Sequence, residues 1–258
     1  MKLTLNISPC PNDTFMFDAI VNRRIDTAPF DISVEYLDIE QLNARVLEGG
    51  AQISKISYAV YPSIAERYRI LDSGSALGRG NGPLLVSKSE VDLSNPNLRV
   101  VVPGMHTTAN ALMSRLYPHI EHKSPMLFSE IAEAVADGRF DAGVLIHEGR
   151  FTYKERGLRL VADLGVAWES RTGLPLPLGA IVASRDLPSE VVVRFEELLR
   201  QSIAYAFAHP EESRAYVKEH AQEMADDVID SHIALFVNDY SLSLGEEGRC
   251  AVAELVGC

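Results

Sequence analysis

The chain has 258 residues, 47% hydrophobic and 23% charged, which suits one large or two ordinary globular domains and excludes a disordered chain. A formal net charge of −12 leaves no basic face for nucleic acid or an anionic membrane, so a small-molecule partner is expected. Three scattered cysteines (Cys10, Cys250, Cys258), no apolar leader and no bilayer-length apolar run predict a soluble protein of a reducing, cytoplasmic compartment.

In chain order, residues 3–7 alternate as a strand and meet Ser8-Pro9-Cys10-Pro11-Asn12-Asp13-Thr14. Two prolines make this a rigid turn into a helix from about Asp13 to Val21, with Asn12 or Asp13 as its cap. A strand over 32–37 follows, then a helix opened by Asp38 with Gln41 as capping-box partner and ended by Gly49-Gly50. A short strand at 52–54 leads into Lys55-Ile56-Ser57-Tyr58 and a helix to about Glu66. Strands near 69–72 and 83–87 flank a loop, 74–82, that holds four glycines. Residues 87–97 read as a crossing segment.

The opening pattern then recurs. A strand at 98–102 is followed by Pro103-Gly104-Met105-His106-Thr107-Thr108 and a helix to Leu116. Setting Ile7-Ser8-Pro9 over Val101-Val102-Pro103 brings Thr14 onto Thr108 without a gap. Residues 42–49 before 52–57 likewise match 131–138 before 141–147: a helix, an acidic-glycine stop, a short strand ending in polar groups. Two α/β lobes of similar construction facing a cleft are expected. A strand at 159–164, a short helix at 168–172 and a second crossover through Leu174-Pro175-Leu176-Pro177-Leu178-Gly179 complete the second lobe. A buried strand at 179–184 returns to the first, and the rest is helical: Ser189 or a neighbour caps a helix to Ala208, and Pro210 starts the next. The expected division is 1–88 with 179–258 as the larger lobe and 89–178 as the smaller.

Among candidate functional residues His147 stands first. Residues 142–146 form a strand buried on both faces, and ligands of open sheets bind beyond the carboxyl ends of such strands. An imidazole there suits general base work; the plainer alternative is a core histidine bonded to a carbonyl. Glu148 reads as a cap for the next helix in preference to a group that orients His147. The corners at Ser8 to Thr14 and Pro103 to Thr108, including Asn12 and Thr107, offer hydroxyls and helix-start N–H groups to a carboxylate, although capping alone explains one hydroxyl each. Lys55 and Arg79 are the candidate cations for an anionic ligand. Cys10 reads as a packing residue in a tight turn before a thiolate nucleophile. His119-x-x-His122 has no third ligand nearby, so no metal is expected, and His106, His209, His220 and His232 show no partner. The 74–82 loop is neither a Walker loop nor a dinucleotide fingerprint, and Ser57 lacks a nucleophile elbow.

Ser8-Pro9-Cys10-Pro11-Asn12-Asp13-Thr14-Phe15, Lys55-Ile56-Ser57-Tyr58, Gly78-Arg79-Gly80, Pro103-Gly104-x-His106-Thr107-Thr108-Ala109, Ile146-His147-Glu148 and Thr172 through Ala180 together resemble the 1,4-dihydroxy-6-naphthoate synthases of the futalosine route to menaquinone. The resemblance runs over nearly all of the chain. It implies an α/β, two-lobed fold like type II periplasmic binding proteins, with a ligand cleft between the lobes. It also implies a cofactor-free, metal-free lyase acting on cyclic dehypoxanthine futalosine, a small-molecule carboxylate. By the same resemblance His147 is the proton acceptor, and Asn43, Lys55, Ile56, Ser57, Thr108 and Ala109 contact substrate. Asn43 reads otherwise as an ordinary helix residue. Two rival readings share the fold: the chorismate dehydratase of the same route, and a cytoplasmic carboxylate-binding protein without chemistry.

Overall fold

A computed structural model describes residues 1–221 and 225–257. The chain begins with β1 (Lys2–Ile7), α1 (Pro11–Val21), β2 (Asp31–Tyr36), α2 (Ile39–Glu48) and β3 (Ile53–Ser57). A 3₁₀ turn at Tyr58–Ser63, where a helix to Glu66 is expected, carries Pro62 inside it and leads to β4 (Tyr68–Ile70) and β5 (Ala76–Gly78). Next come β6 (Leu84–Ser87), β7 (Val100–Val102), α3 (Thr108–Leu116), β8 (Lys123–Pro125), α4 (Ile131–Ala136) and β9 (Ala142–Leu145). The middle of the chain closes with α5 (Gly149–Thr152), β10 (Arg159–Asp163), α6 (Leu164–Thr172) and β11 (Leu176–Ser184). The tail is helical: α7 (Ser189–Ala208), α8 (Pro210–His220), α9 (Asp226–Phe236), α10 (Asp239–Leu242) and α11 (Gly245–Val256). Cys258 lies outside the described residues.

Two sheets follow one plan. The first runs β2-β1-β3-β11-β4, with β5 added to β11; the second runs β8-β7-β9-β6-β10. In each, the strand second from the edge is parallel to both neighbours, and the fourth strand is antiparallel to the third. The repeat read between residues 7–14 and 101–108 is thus a repeat of topology. Its boundaries differ from expectation at both crossings. Leu84–Ser87 pairs with β9 and β10, so the chain enters the second sheet before Leu84, not after 88, and β11 is already paired with β5 at Leu176. The alternation of β6 is apolar on both faces, which any buried strand shares, so composition carried no sign of which sheet it joins.

Local signals set most helix ends. Asp38 accepts from the N–H groups of Glu40 and Gln41 while the Gln41 side chain accepts from Asp38 N–H, the expected capping box, and Gly49 closes α2 in the left-handed region. Cap assignments failed at α1 and α7. Cys10 and Pro188 occupy the N-cap positions with no side-chain cap, and Asn12 and Asp13 lie inside the first turn of α1, fully buried. The first sheet's core packs Leu3, Leu5 and Ile7 against Phe17, Phe195 and Leu199, so α1 and α7 cover one face.

One strut joins the lobes at the rim. The Glu40 carboxylate accepts from the N–H groups of Met105 (3.0 Å) and His106 (3.2 Å) and meets the His106 ring at 2.7 Å. Gly104, at φ +149°, comes so close that a Cβ would sit 2.4 Å from Glu40 Oε2. Glu40→Ala removes these exposed, charge-assisted bonds and is expected to cost about 0.5–1.5 kcal/mol. Denaturant unfolding with an unchanged stability would refute it.

Candidate active site

Between the sheets lies a cleft lined by residues of both lobes. Ser8, Asn12, Asp13, Lys55 and Ser57 line it from the first lobe; Thr107, Thr108, Ala109, His147 and Arg150 line it from the second. Apolar walls come from residues such as Ile39, Ile146, Leu178 and Phe236. Ser8, Ser57, Thr107 and His147 all sit at or just past the carboxyl ends of strands β1, β3, β7 and β9, where the strand-end rule places ligands.

Strand geometry decides which residues of the Lys55-Ile56-Ser57 segment face the cleft. Successive side chains point to opposite faces, so Lys55 and Ser57 line it while Ile56 packs with Tyr58, Tyr68 and Leu77 in the core. The Lys55 ammonium, 5% exposed, bonds Asp13 Oδ1 at 2.7 Å, and Asp13 is wholly buried. The other Asp13 oxygen accepts from Ser8 Oγ at 2.7 Å and Ser8 N–H at 3.2 Å, and Asn12 Nδ2 donates to Oδ1 at 2.8 Å. Every hydrogen bond of that carboxylate orients a cleft-lining residue. Asn12 turns its amide oxygen to His232 Nε2 at 3.0 Å, which assigns the proton of that ring to Nε2. Burial, reinforced by the neighbouring cationic side chains and His147, holds His232 well below the ordinary imidazole range, so it is neutral.

His147 lies in the turn two residues past the end of β9. Its φ of +52° is left-handed, a region open to histidine at some strain, and the turn carries the chain directly into α5. The imidazole stacks on His232 (centroids 5.7 Å, planes within 5°) and meets the edge of Phe128 at 5.0 Å. Among the described residues no hydrogen bond engages its ring nitrogens, which leaves them to the cleft. Burial pushes its pKa down to about 4; Asp13 opposes that shift and Lys55 adds to it.

In the opposite corner, Thr107 caps α3 by accepting from Asn110 N–H at 3.2 Å. The Thr108 hydroxyl donates to the Leu178 carbonyl (2.8 Å) and accepts from Ala59 N–H (3.3 Å), tying together segments on both sides of the cleft. The backbone N–H groups of Thr108 and Ala109 belong to the helix's first turn, whose donors lack intrahelical partners.

A family model described as menaquinone biosynthesis matches residues 3–258. The chain belongs to this family. Two relatives named 1,4-dihydroxy-6-naphthoate synthase support the assignment. The one from Thermus thermophilus is 49% identical, the alignment covering 98% of this chain and 92% of the relative. The one from Streptomyces coelicolor is 43% identical over 98% of this chain and 91% of the relative. The crystal structure of the Archaeoglobus fulgidus protein AF1704 superposes with a TM-score of 0.90 at 36% identity, covering 98% of this chain and 95% of that one. At 14% identity, a Candida albicans gene product described as having the generic periplasmic binding protein fold gives a TM-score of 0.72, covering 99% of this chain and 89% of its own. The menaquinone-family chain therefore has the expected two-lobed, periplasmic-binding-protein-like fold.

Within this family member, eight expected site residues meet in the cleft: Ser8, Asn12, Lys55, Ser57, Thr107, Thr108, Ala109 and His147. Three do not line it. Ile56 is core, for the strand-alternation reason above. Asn43 is fully buried behind Ser57, donating to its Oγ (3.0 Å) and accepting from its N–H (2.8 Å), and so braces the end of β3. Arg79 lies outside, half exposed, bonding Glu247 and the Gly173 carbonyl at 2.9 Å each. Glu148 is not a side-chain cap of α5; its carboxylate lies 3.9 Å from His232 Nδ1. His232, expected to have no partner, is the buried ring on which His147 stacks. Cys10 is a packing residue: it is buried, and desolvation raises its thiol pKa far from thiolate chemistry. His119 bonds the Leu93 carbonyl at 2.7 Å, consistent with a structural role. Sequence reasoning missed Asp13 as a charge partner, and Arg150, Phe236 and His232 as neighbours of the cleft. For Arg150 a signal existed: it lies one helical turn from His147. No helix among the described residues is long and apolar enough to cross a membrane.

Proposed function

We propose that this protein is a carbon–carbon lyase that opens cyclic dehypoxanthine futalosine to 1,4-dihydroxy-6-naphthoate and a three-carbon fragment, with neutral His147 as the proton acceptor. The observation that carries the reading is an imidazole on the cleft wall, free of protein hydrogen bonds among the described residues and kept neutral by burial. A binding protein without chemistry has no need of such a group. His147 takes a substrate proton, and the electron pair left behind forms a carbonyl as the carbon–carbon bond breaks. The pair from that bond passes into the ring that becomes aromatic, which drives release. First-turn N–H groups at Thr108 and Ala109, with the Ser57 hydroxyl, whose proton is left free because its oxygen accepts from Asn43, hold developing negative charge. Asp13 favours the imidazolium that forms. The chemistry is acid–base throughout, and the reading places the protein in the cytoplasm with a free small-molecule substrate.

Incubation with the cyclic substrate is expected to produce the absorbance of the naphthoate, and a parallel incubation with chorismate no product. Turnover of chorismate instead would reassign the chain to the dehydratase of the same route, and turnover of neither would make it a binding protein. The pH dependence carries a second expectation. A free-enzyme base with a pKa near 4 stays unprotonated as pH falls from 7 to 5, so kcat/KM should hold level over that range and drop only near pH 4. An acid limb centred at about 6.5, the ordinary imidazole value, would contradict the assignment.

A further inference from the structure

The charged residues lining the cleft are Asp13, Lys55 and Arg150, and they are not equivalent. Asp13 and Lys55 neutralise one another in a buried pair at 2.7 Å. Arg150 has no carboxylate within ion-pair distance among the described residues. The acidic side chain that acts on it most strongly is Asp163, whose Oδ1 is already accepting from the N–H groups of Gly165 and Val166 at the start of α6. Among the residues that line the cleft, Arg150 is therefore the cation that no lining carboxylate neutralises.

That cation is held in place. Arg150 Nη1 donates to the Gly82 carbonyl at 2.5 Å. Gly82 is packed so tightly on Gly165 that a Cβ on it would lie 2.2 Å from Gly165 Cα. Backbone-to-backbone contact thus anchors the acceptor, and one N–H of the guanidinium fork is spent on aiming the rest. Burial also lowers the Arg150 pKa, the mark of a guanidinium lacking full solvation. An arginine fork matches a carboxylate with two parallel hydrogen bonds, and such bonds are short and strong. Around it, Ile146, Pro83, Leu178 and Phe236 present apolar surface suited to a flat ring. Arg150 N–H also bonds the His147 carbonyl at 3.4 Å, so base and cation ride on one turn of chain.

From this geometry we infer that Arg150 grips the carboxylate of an aromatic acid and thereby sets which end of the substrate meets His147. The inference rests on the proposed function for the identity of that acid, but the recognition chemistry can be tested without turnover. The probes are 2-naphthoate and its uncharged counterpart 2-naphthamide, titrated calorimetrically into the full-length protein. Wild type is expected to prefer the acid by about 10- to 100-fold, the range of a charge-assisted pair. Arg150→Gln should bring that preference to within about twofold while leaving the affinity for the amide near wild type. Arg150→Lys, which keeps the charge without the fork, should retain an intermediate preference, and it serves if Arg150→Gln unfolds. In turnover, Arg150→Gln should raise KM more than it lowers kcat. A wild type indifferent to the carboxylate, or an Arg150→Gln or Arg150→Lys variant with the full wild-type preference, overturns the inference. A wild type that selects naphthoate yet leaves the cyclic substrate unchanged refutes the proposed function and leaves Arg150 standing.

Discussion

His147→Asn is expected to lower kcat by about 10²- to 10⁴-fold, the range that a positioned general base contributes. Asparagine is the informative replacement because the residue sits at φ +52°, where Asn follows Gly in tolerance. Alanine would add backbone strain to the loss of the imidazole and confuse two effects. KM should change little, since nothing in the geometry makes His147 a ground-state anchor. The unfolding midpoint should stay close to wild type, because the ring makes packing contacts with His232 and Phe128 but no hydrogen bond among the described residues. Turnover within a few-fold of wild type would remove His147 from the mechanism. A loss accompanied by collapse of the unfolding transition would instead identify it as part of the core.

The second large effect is on stability. Lys55→Met should destabilise the protein by about 3–5 kcal/mol, because it strands the Asp13 carboxylate in a wholly buried position. In a chain of this size each kcal/mol moves the midpoint by about 2–4 °C, so a fall of roughly 6–20 °C is expected. Ser8 and Asn12 continue to donate to the carboxylate, which limits the loss without replacing a cation. The decisive comparison is Asp13→Asn combined with Lys55→Met. With neither member of the pair charged, the double variant should recover at least half of the lost stability although it differs from wild type at one more site. If Lys55→Met falls by less than about 1 kcal/mol, or the double variant is worse than the single, the pair is not the support described here. Because Asp13 also holds Ser8 and Asn12, activity should fall in Lys55→Met even where the protein remains folded.

These two residues were not equally legible in the chain. His147 follows a run of small and apolar residues with only backbone geometry between it and the strand end, so strand length and a following glycine locate it. Lys55 could be singled out as a cation among apolar neighbours, but its partner could not. Asp13 is 42 positions away, and its place beside Asn12 at a helix start reads as capping. The cap needs only a side chain and its own backbone; the ion pair needs β1 and β3 to lie side by side, which no local signal encodes. His232 is the extreme case, 220 positions from Asn12 and on a helix of the tail, with nothing around it in sequence to mark it.

The same division accounts for the whole molecule. Periodicity, capping residues and glycine stops are interactions within about one helical turn, and from them the strands, most helices and the internal repeat could be read directly. The sheet that β6 joins, the displacement of Arg79 from the cleft to a surface pair with Glu247, the retreat of Asn43 behind Ser57 and the stacking of His232 on His147 all depend on contacts between distant segments. Packing made those choices, because burying one face of each sheet leaves a strand end only a few places to project, and what meets it there comes from elsewhere in the chain.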